Sequence, residues 1–276
     1  MSVTNVIEEA AALFSKIPCV CGVVLGGSRA TGTATDASDI DIGIYYDRET
    51  LDYDAINRVA QALDDEHREN LVCQEGGWGK WVNFGGWLLC GGIHTDLIFR
   101  DIARVKNSVE ESSQGVFSIH YQTGHPHAYI STMYTGELAS SQILYARDDN
   151  FCELKKRAEK YPDSLQRELI LCFLSEAKFS GMFAQSYAGK GDPYYLAGHL
   201  FRAVSALNQV FFALNRQYCL NEKKAVARIC SMPLHPENYN KVVEQIFACM
   251  GTKPEESAKL LSMLCEQAED LCKKVL

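Results

Sequence analysis

Val23-Val24-Leu25-Gly26-Gly27-Ser28-Arg29-Ala30, followed by Ser38-Asp39-Ile40-Asp41-Ile42-Gly43-Ile44, decides how this chain is read. The apolar, β-branched run over residues 20–25 halts at Gly26-Gly27, which predicts a short buried strand. Residues 39–46 predict a second strand after a polar connection over 28–38. Asp39 and Asp41 are two apart in that strand, so both carboxylates leave one face. Two like charges held side by side cost energy unless a cation bridges them, and oxygen ligands favour Mg²⁺. Gly-Gly-Ser at the end of a strand lets the backbone approach a ligand closely and offers N–H groups to phosphate. Glycines ahead of metal-binding carboxylates are what a triphosphate site needs. A third acid, Asp96, falls in a strand expected over residues 94–100. Three carboxylates on adjacent strands suffice to hold one or two Mg²⁺ ions, which neutralise phosphate oxygens and stabilise a departing pyrophosphate.

Working outward, residues 6–14 show helical spacing closed by Pro18, and residues 51–70 show it again. Residues 76–92 are rich in Gly, hold Trp78, Trp81 and Trp87, and read as a hairpin. This order of elements predicts a mixed α/β domain over residues 1–150. Beyond it, helical patterns over 165–188, 194–217, 237–250 and 255–275 are separated by Gly- and Pro-containing breakers. Short connections between amphipathic helices predict an antiparallel bundle over residues 151–276. The fold class expected is therefore α+β: a small mixed-sheet domain followed by a helical bundle.

The 276 residues are 47% hydrophobic and 22% charged, an ordinary globular composition that excludes collagen-like, coiled-coil and disordered classes. Net charge is −8, and it is unevenly spread: residues 1–150 carry 10 Lys and Arg against 21 Asp and Glu, residues 151–276 carry 17 against 14. A long nucleic-acid partner is disfavoured by that balance. The 11 Cys include no Cys-x-x-Cys pair, which reads as free thiols in a reducing cytosol. Glu8 and Glu9 stand where a signal peptide carries basic residues, and no apolar run approaches the ~20 residues that span a bilayer. A cytoplasmic protein with no membrane partner is expected.

The ordered set of a strand ending in Gly-Gly-Ser, an Asp-x-Asp strand, and His94-Thr95-Asp96-Leu97-Ile98 resembles the DNA polymerase β-like nucleotidyltransferase superfamily over residues 18–100. The resemblance implies that Gly26, Gly27 and Ser28 bind a triphosphate while Asp39 and Asp41 bind Mg²⁺. Asp96 would complete the metal site or accept a proton from the attacking hydroxyl. The second half looks like the helical domain of the aminoglycoside nucleotidyltransferases. Its stretch Leu214-Asn-Arg-Gln-Tyr-Cys-Leu-Asn-Glu-Lys-Lys-Ala-Val-Ala is similar to theirs, ending in a lysine that meets nucleotide phosphates. That role falls on Lys223, or on Lys224 beside it; the alternative is that both are surface charges.

Glu176 is singled out twice. Leu169, Cys172, Phe173, Phe179, Ser180 and Phe183 share a helical face with Glu176 in its middle, and a carboxylate on an inward face must be paired or directed into a cleft. It also lies where the kanamycin-type enzymes place a general base, so it either takes part in proton transfer or serves as a structural ion-pair partner. Arg29 either touches phosphate or is a loop arginine. His125-Pro126-His127 has no further spaced ligand that would make a metal site. Arg202 and His199 lie opposite the core stripe of their helix, lining a cleft or meeting water.

The reading is an Mg-dependent transferase that moves AMP from ATP, or another nucleotide from its triphosphate, onto a hydroxyl of a small-molecule acceptor. An aminoglycoside-like antibiotic is the first acceptor expected, which would make the chain a resistance enzyme. The alternatives are a toxin-type modifier of protein or tRNA and a nucleotide-binding regulatory module without transfer activity. Related enzymes pair subunits to complete the site, so the resemblance also implies a homodimer that no residue here demonstrates.

Overall fold

In the computed structural model, which describes residues 2–276, the elements follow in the order α1 (Val3–Phe14), β1 (Val20–Leu25), α2 (Gly27–Ala30), β2 (Ile40–Tyr46), α3 (Tyr53–Leu63), β3 (Phe84–Cys90) and β4 (Ile93–Asp101). There follow α4 (Ile102–Ser113), β5 (Ile119–His120), β6 (Tyr129–Ile130), α5 (Thr132–Ser140), β7 (Gln142–Ala146) and α6 (Asp149–Glu159). The helices α7 (Asp163–Tyr187), α8 (Pro193–Leu214), α9 (Ala225–Ile229), α10 (Tyr239–Cys249) and α11 (Pro254–Cys272) complete the chain. This is the α+β architecture expected. The chain divides into two compact units: residues 1–110, 122–124 and 134–160 form one, and residues 111–121, 125–133 and 161–276 form the other.

The first unit is built on a five-stranded sheet of order β3-β4-β2-β1-β7. β1 is antiparallel to both β2 and β7, and β3 is antiparallel to β4, but β2 and β4 run parallel. Parallel neighbours need a crossover, which α3 begins and β3 completes. Asp52 starts α3 by accepting from the Ala55 amide at 2.9 Å. The helix stops at Leu63 rather than running to residue 70. Asp64 turns out of it, taking two hydrogen bonds from the Arg68 guanidinium and one from the Leu89 amide.

The glycine- and tryptophan-rich stretch is not a self-contained hairpin. The hairpin is β3 with β4, and it turns at Gly91 and Gly92, with φ of 58° and 77°. Two consecutive left-handed residues make the two-residue turn that matches strand twist, and glycine adopts them without strain. Residues 76–83 instead form a folded loop closed by Trp78 N to Asn83 O and Asn83 N to Gly79 O, both 2.9 Å. The Trp78 ring stacks on Trp87 at 4.9 Å.

One side of the sheet is covered by α1 and α3, whose Val6, Ala10, Phe14, Ile56 and Ala60 are buried with Ile40, Ile42 and Ile44 of β2. At Gly22 of β1, a Cβ would lie 2.4 Å from the Phe151 ring of α6, and Phe151 is itself buried and edge-on to Tyr45 at 5.1 Å. The ring has no room to retreat. Gly22→Val is therefore expected to cost about 1–3 kcal/mol by overpacking, read as a fall in Tm on thermal unfolding; an unchanged Tm would show that the ring gives way freely.

The second unit is helical. α7 and α8 form its central antiparallel pair, and α11 packs against both, with α10 against α11. Pro193 and the Asp192 cap, which accepts from the Tyr195 amide at 3.0 Å, start α8 where the Gly-Lys-Gly-Asp-Pro breaker predicts it. The four long helices stand where their apolar spacing predicts them. The buried face of α7 is Leu165, Leu169, Phe173, Ala177, Ser180 and Ala184. Cys172 and Phe179 are not on it: both are exposed, and Glu176 sits at the border of the two faces. Among the described residues no helix is long and apolar enough to cross a membrane.

Candidate active site

β1 ends at Leu25, and the Gly26 amide donates to the Asp41 carbonyl at 2.8 Å, carrying the β1–β2 pairing one step beyond the strand. Gly27 then turns into the left-handed region, φ 58°, and opens the single turn α2. A Cβ on Gly27 would lie 1.8 Å from Asp41 Oδ2. Only a residue without a side chain lets this turn pass so close to that carboxylate. The first amides of the turn have no partner further up the helix, so they face whatever lies before it.

Asp41 is the register partner of Asp96 on the parallel strand β4, and Asp96 is the register partner of Trp87 on β3. Register partners share a face at a strand spacing of about 4.8 Å. Gly26, Asp41, Asp96 and Trp87 thus form one row across four strands. Asp41 and Asp96 are half-buried, Asp39 is exposed just before β2, and the Trp87 indole is 65% exposed. Among the described residues, no three His, Cys, Asp or Glu side chains converge as a preformed metal cage. Arg29 does not simply hang in the loop. Its Nε donates to the Asp39 carbonyl at 3.0 Å and its Nη2 to the Ser38 carbonyl, so it fastens the 31–38 connection just where Asp39 emerges.

Residues 4–82 match the family model of the nucleotidyltransferase domain. That match takes in Gly26, Gly27, Ser28, Asp39 and Asp41, and stops short of Asp96. Residues 130–223 match a second model, described as a domain of unknown function (DUF4037), which takes in Glu176 and Lys223. No curated protein sequence matches the chain. Among solved structures, a nucleotidyltransferase-like protein from Exiguobacterium sibiricum is similar at 9% identity and a TM-score of 0.46, over 99% of this chain and 75% of that one. The likeness that bears on function is the nucleotidyltransferase domain over residues 4–82.

In the helical unit, Glu176 of α7 is 15% exposed, hydrogen-bonds His127 Nε2 at 3.0 Å and forms an ion pair with Arg202 Nε at 2.8 Å. Both contacts fall on Oε1. Burial pushes the Glu176 carboxyl up, but His127 and Arg202 outweigh it and leave the group below its ordinary value. His127 is held from behind, its amide donating to Glu222 Oε1 at 2.8 Å, while His125 Nδ1 lies 3.8 Å from Glu222 Oε2. The His-Pro-His segment is thus a clamp on two glutamates. His127 was not legible as a partner, since 49 residues separate it from Glu176; the only signal was that a glutamate on that face needs one. Arg202, facing away from the core stripe, completes the pair, and His199 stacks on Phe183 instead of meeting water alone. Lys223 and Lys224 are both exposed on the turn before α9, Lys224 in the left-handed region at φ 60°.

Proposed function

We propose that this chain transfers a nucleoside monophosphate, AMP from ATP, onto a hydroxyl of a small-molecule acceptor and releases pyrophosphate. The observation that carries the reading is Asp41 and Asp96 in register on parallel strands with Gly27 pressed against the Asp41 carboxylate. Asp41 and Asp96 offer hard oxygens from one face of the sheet, and Asp39 precedes β2 by one residue. This donor set fits Mg²⁺ held by Asp39, Asp41 and Asp96. When bound, the ion neutralises phosphate oxygens and eases departure of pyrophosphate.

The chain's own residues do the rest. The amides at Gly27 and Ser28 receive the triphosphate, whereas the amide of Gly26, expected to join them, is spent on the Asp41 carbonyl. Arg29 fixes the loop that presents Asp39, with its Nη1 left over for phosphate. Lys223, or Lys224, adds positive charge to the nucleotide. The acceptor oxygen forms a bond to the α-phosphorus, the α–β bridging P–O bond breaks, and the hydroxyl proton passes to the Glu176 carboxylate. Glu176 suits that role: His127 and Arg202 hold Oε1, and the carboxyl they depress is ionised at neutral pH. His127 and Arg202 act through Glu176 as positioning residues.

Glu176→Gln is expected to lower turnover by about 10²–10⁴-fold, the usual worth of a positioned base. Because His127 and Arg202 hold the carboxyl down, His127→Ala should move the acid limb of the pH–rate profile to higher pH. A limb that stays put in that variant removes Glu176 from the proton path. The overall reading is tested by pyrophosphate release from Mg-ATP across aminoglycoside, lincosamide, RNA and protein acceptors, with the Asp39→Asn, Asp41→Asn double variant as control. Release by wild type alone with a small molecule is the expected result. Release only with RNA or protein would move the acceptor to a macromolecule, and equal release by the double variant would reject the mechanism.

A further inference from the structure

A pocket of about 200 Å³ in the first unit is walled by Arg48, Glu75, Lys80, Asn83, Asp101 and Arg104. It lies at the far end of the two strands that carry Asp41 and Asp96. Those acids pair near the start of β2 and β4, and Tyr46 pairs with Asp101 five residues on, about 17 Å along the strands. Part of the wall is closed on itself. Asn83 Nδ2 donates to the Tyr46 hydroxyl at 2.8 Å, and that hydroxyl donates to Glu75 Oε1 at 2.5 Å. Arg48 Nε donates to Glu75 Oε2 at 3.1 Å, so these two charges answer each other.

The other three charges share the pocket without pairing. Arg104 is half-buried and held in place: Nη1 donates to the Lys80 carbonyl at 2.6 Å and to the Tyr134 hydroxyl at 3.1 Å, and Cζ lies 5.3 Å from the Trp81 ring centre. Both hydrogen bonds leave from Nη1. The Nε–Nη2 edge, the fork that meets a carboxylate with two parallel bonds, is unused among the described residues. Lys80 Nζ stands 5.7 Å from the same Trp81 ring and makes no ion pair among the described residues. Asp101 takes the Ala103 amide on Oδ1 at 2.9 Å and likewise forms no ion pair there, although Arg104 follows three residues on. A guanidinium fork, an ammonium and a carboxylate thus face one space and leave each other unneutralised.

We propose that this pocket binds an acidic α-amino acid. The Arg104 fork takes its α-carboxylate, Asp101 takes its ammonium, and Lys80 takes its side-chain carboxylate. Three cations against two carboxylates leave the pocket with one net positive charge, and an acidic amino acid at neutral pH carries one net negative charge. A plain anion would leave Asp101 facing a like charge, which is unfavourable. Size agrees: a cavity of about 150 Å³ holds a benzene ring, and this pocket is larger. The site is independent of the transfer reading, because binding here calls on neither nucleotide nor Mg²⁺.

The test is calorimetric titration of the full-length chain with L-glutamate and L-aspartate. Three probes each lack one feature: glutarate has no ammonium, L-glutamine has no second carboxylate, and inorganic phosphate is a plain anion. The tighter of the two acidic amino acids is expected to bind about tenfold more strongly than any of the three. Arg104→Lys, which removes the fork, should weaken it by about tenfold. Asp101→Asn keeps the acceptor for the Ala103 amide; it should weaken the acidic amino acid and leave glutarate unchanged or tighter. Lys80 is exposed, so Lys80→Gln tests the site even where Arg104→Lys loosens the loop around Trp81. It should weaken the acidic amino acid about threefold, the worth of an exposed ion pair, and leave L-glutamine unchanged. The Asp39→Asn, Asp41→Asn variant should bind as wild type does, whatever becomes of its turnover. No binding by either acidic amino acid would overturn the site. So would glutarate, L-glutamine or phosphate binding as tightly, or amino-acid binding indifferent to Asp101→Asn and Lys80→Gln.

Discussion

Asp41→Asn is expected to cut pyrophosphate release by about 10³-fold or more while the sheet stays folded. Asn keeps the shape of the side chain, so the close approach of Gly27 and the hydrogen bond from the Gly26 amide to the Asp41 carbonyl survive. What is lost is the charge that holds a cation against the triphosphate. A bound divalent ion supplies several kcal/mol of transition-state stabilisation, and each ~1.4 kcal/mol is tenfold in rate. Asp41 stands in register with Asp96 on the parallel strand β4, so Asn at position 41 also relieves like-charge repulsion, and the variant's Tm is expected to stay close to that of wild type. Asp39→Asn should lose less, because Asp39 is exposed and lies before the strand rather than in it. Turnover retained in a well-folded double variant would remove these carboxylates from the reaction.

The largest stability effect outside the site is expected at Asp64. Its carboxylate is fully buried and takes hydrogen bonds from Arg68 Nε at 2.9 Å, Arg68 Nη2 at 2.6 Å and the Leu89 amide at 3.0 Å. Next to it, Asp65 receives the Gly91 and Gly92 amides at 2.7 and 2.8 Å. Together the two acids tie the end of α3 to the β3–β4 hairpin, and so set the strand that carries Asp96. Asp64→Ala leaves the Leu89 amide without its acceptor and should cost about 2–3 kcal/mol. The Arg68 guanidinium beside Asp64 holds its carboxyl well below the usual carboxylate range, against the upward push of burial. A depressed folded value means that the unfolded chain takes up protons first as pH falls. The Asp64 contribution is therefore complete at neutral pH and is lost as pH drops below the ordinary carboxylate range near 4 toward the folded value. The difference in Tm between wild type and Asp64→Ala should be largest at pH 7 and shrink in acid. A difference that holds constant to pH 2 would mean that the variant is damaged through packing, not through the charged hydrogen bonds.

Legibility followed the range of the forces involved. β1 stands over the apolar run that predicts it, and β2 begins one residue after Asp39, because β-branched runs and Gly-Gly stops act locally. The long helices of the second unit follow from apolar periodicity, and their breakers act on the backbone directly. Errors came where a distant partner decides. The expected helix over 51–70 is cut at residue 63 because Asp64 is claimed by Arg68 and by Leu89, 25 residues on. The tryptophan stretch looked like a hairpin by composition, but strand β4 captures residues 84–90 and moves the turn to Gly91-Gly92. β7 is a short strand of mixed exposure whose identity depends on pairing with β1, more than 100 residues earlier, so no local period announces it. Cys172 and Phe179 fit the inward spacing of α7, yet the neighbouring helices cover only a narrower face.

Within the site the same division holds. The residues Gly26, Gly27, Ser28, Asp39 and Asp41 and their spacing are read from the sequence alone, and glycine is the residue a close turn demands; strand periodicity does not extend to Asp39, because β2 begins at Ile40. That Asp96 and no other acid stands opposite Asp41 is a matter of parallel register, which only the closed sheet supplies. That Gly27 is pressed onto the Asp41 carboxylate, that Arg29 is spent on Ser38 and Asp39, and that His127 and Arg202 share one oxygen of Glu176 are likewise tertiary facts. Each depends on side chains brought together across a chain separation over which sequence spacing carries no angle or distance. Periodicity names the face a residue occupies; packing alone names what it meets there.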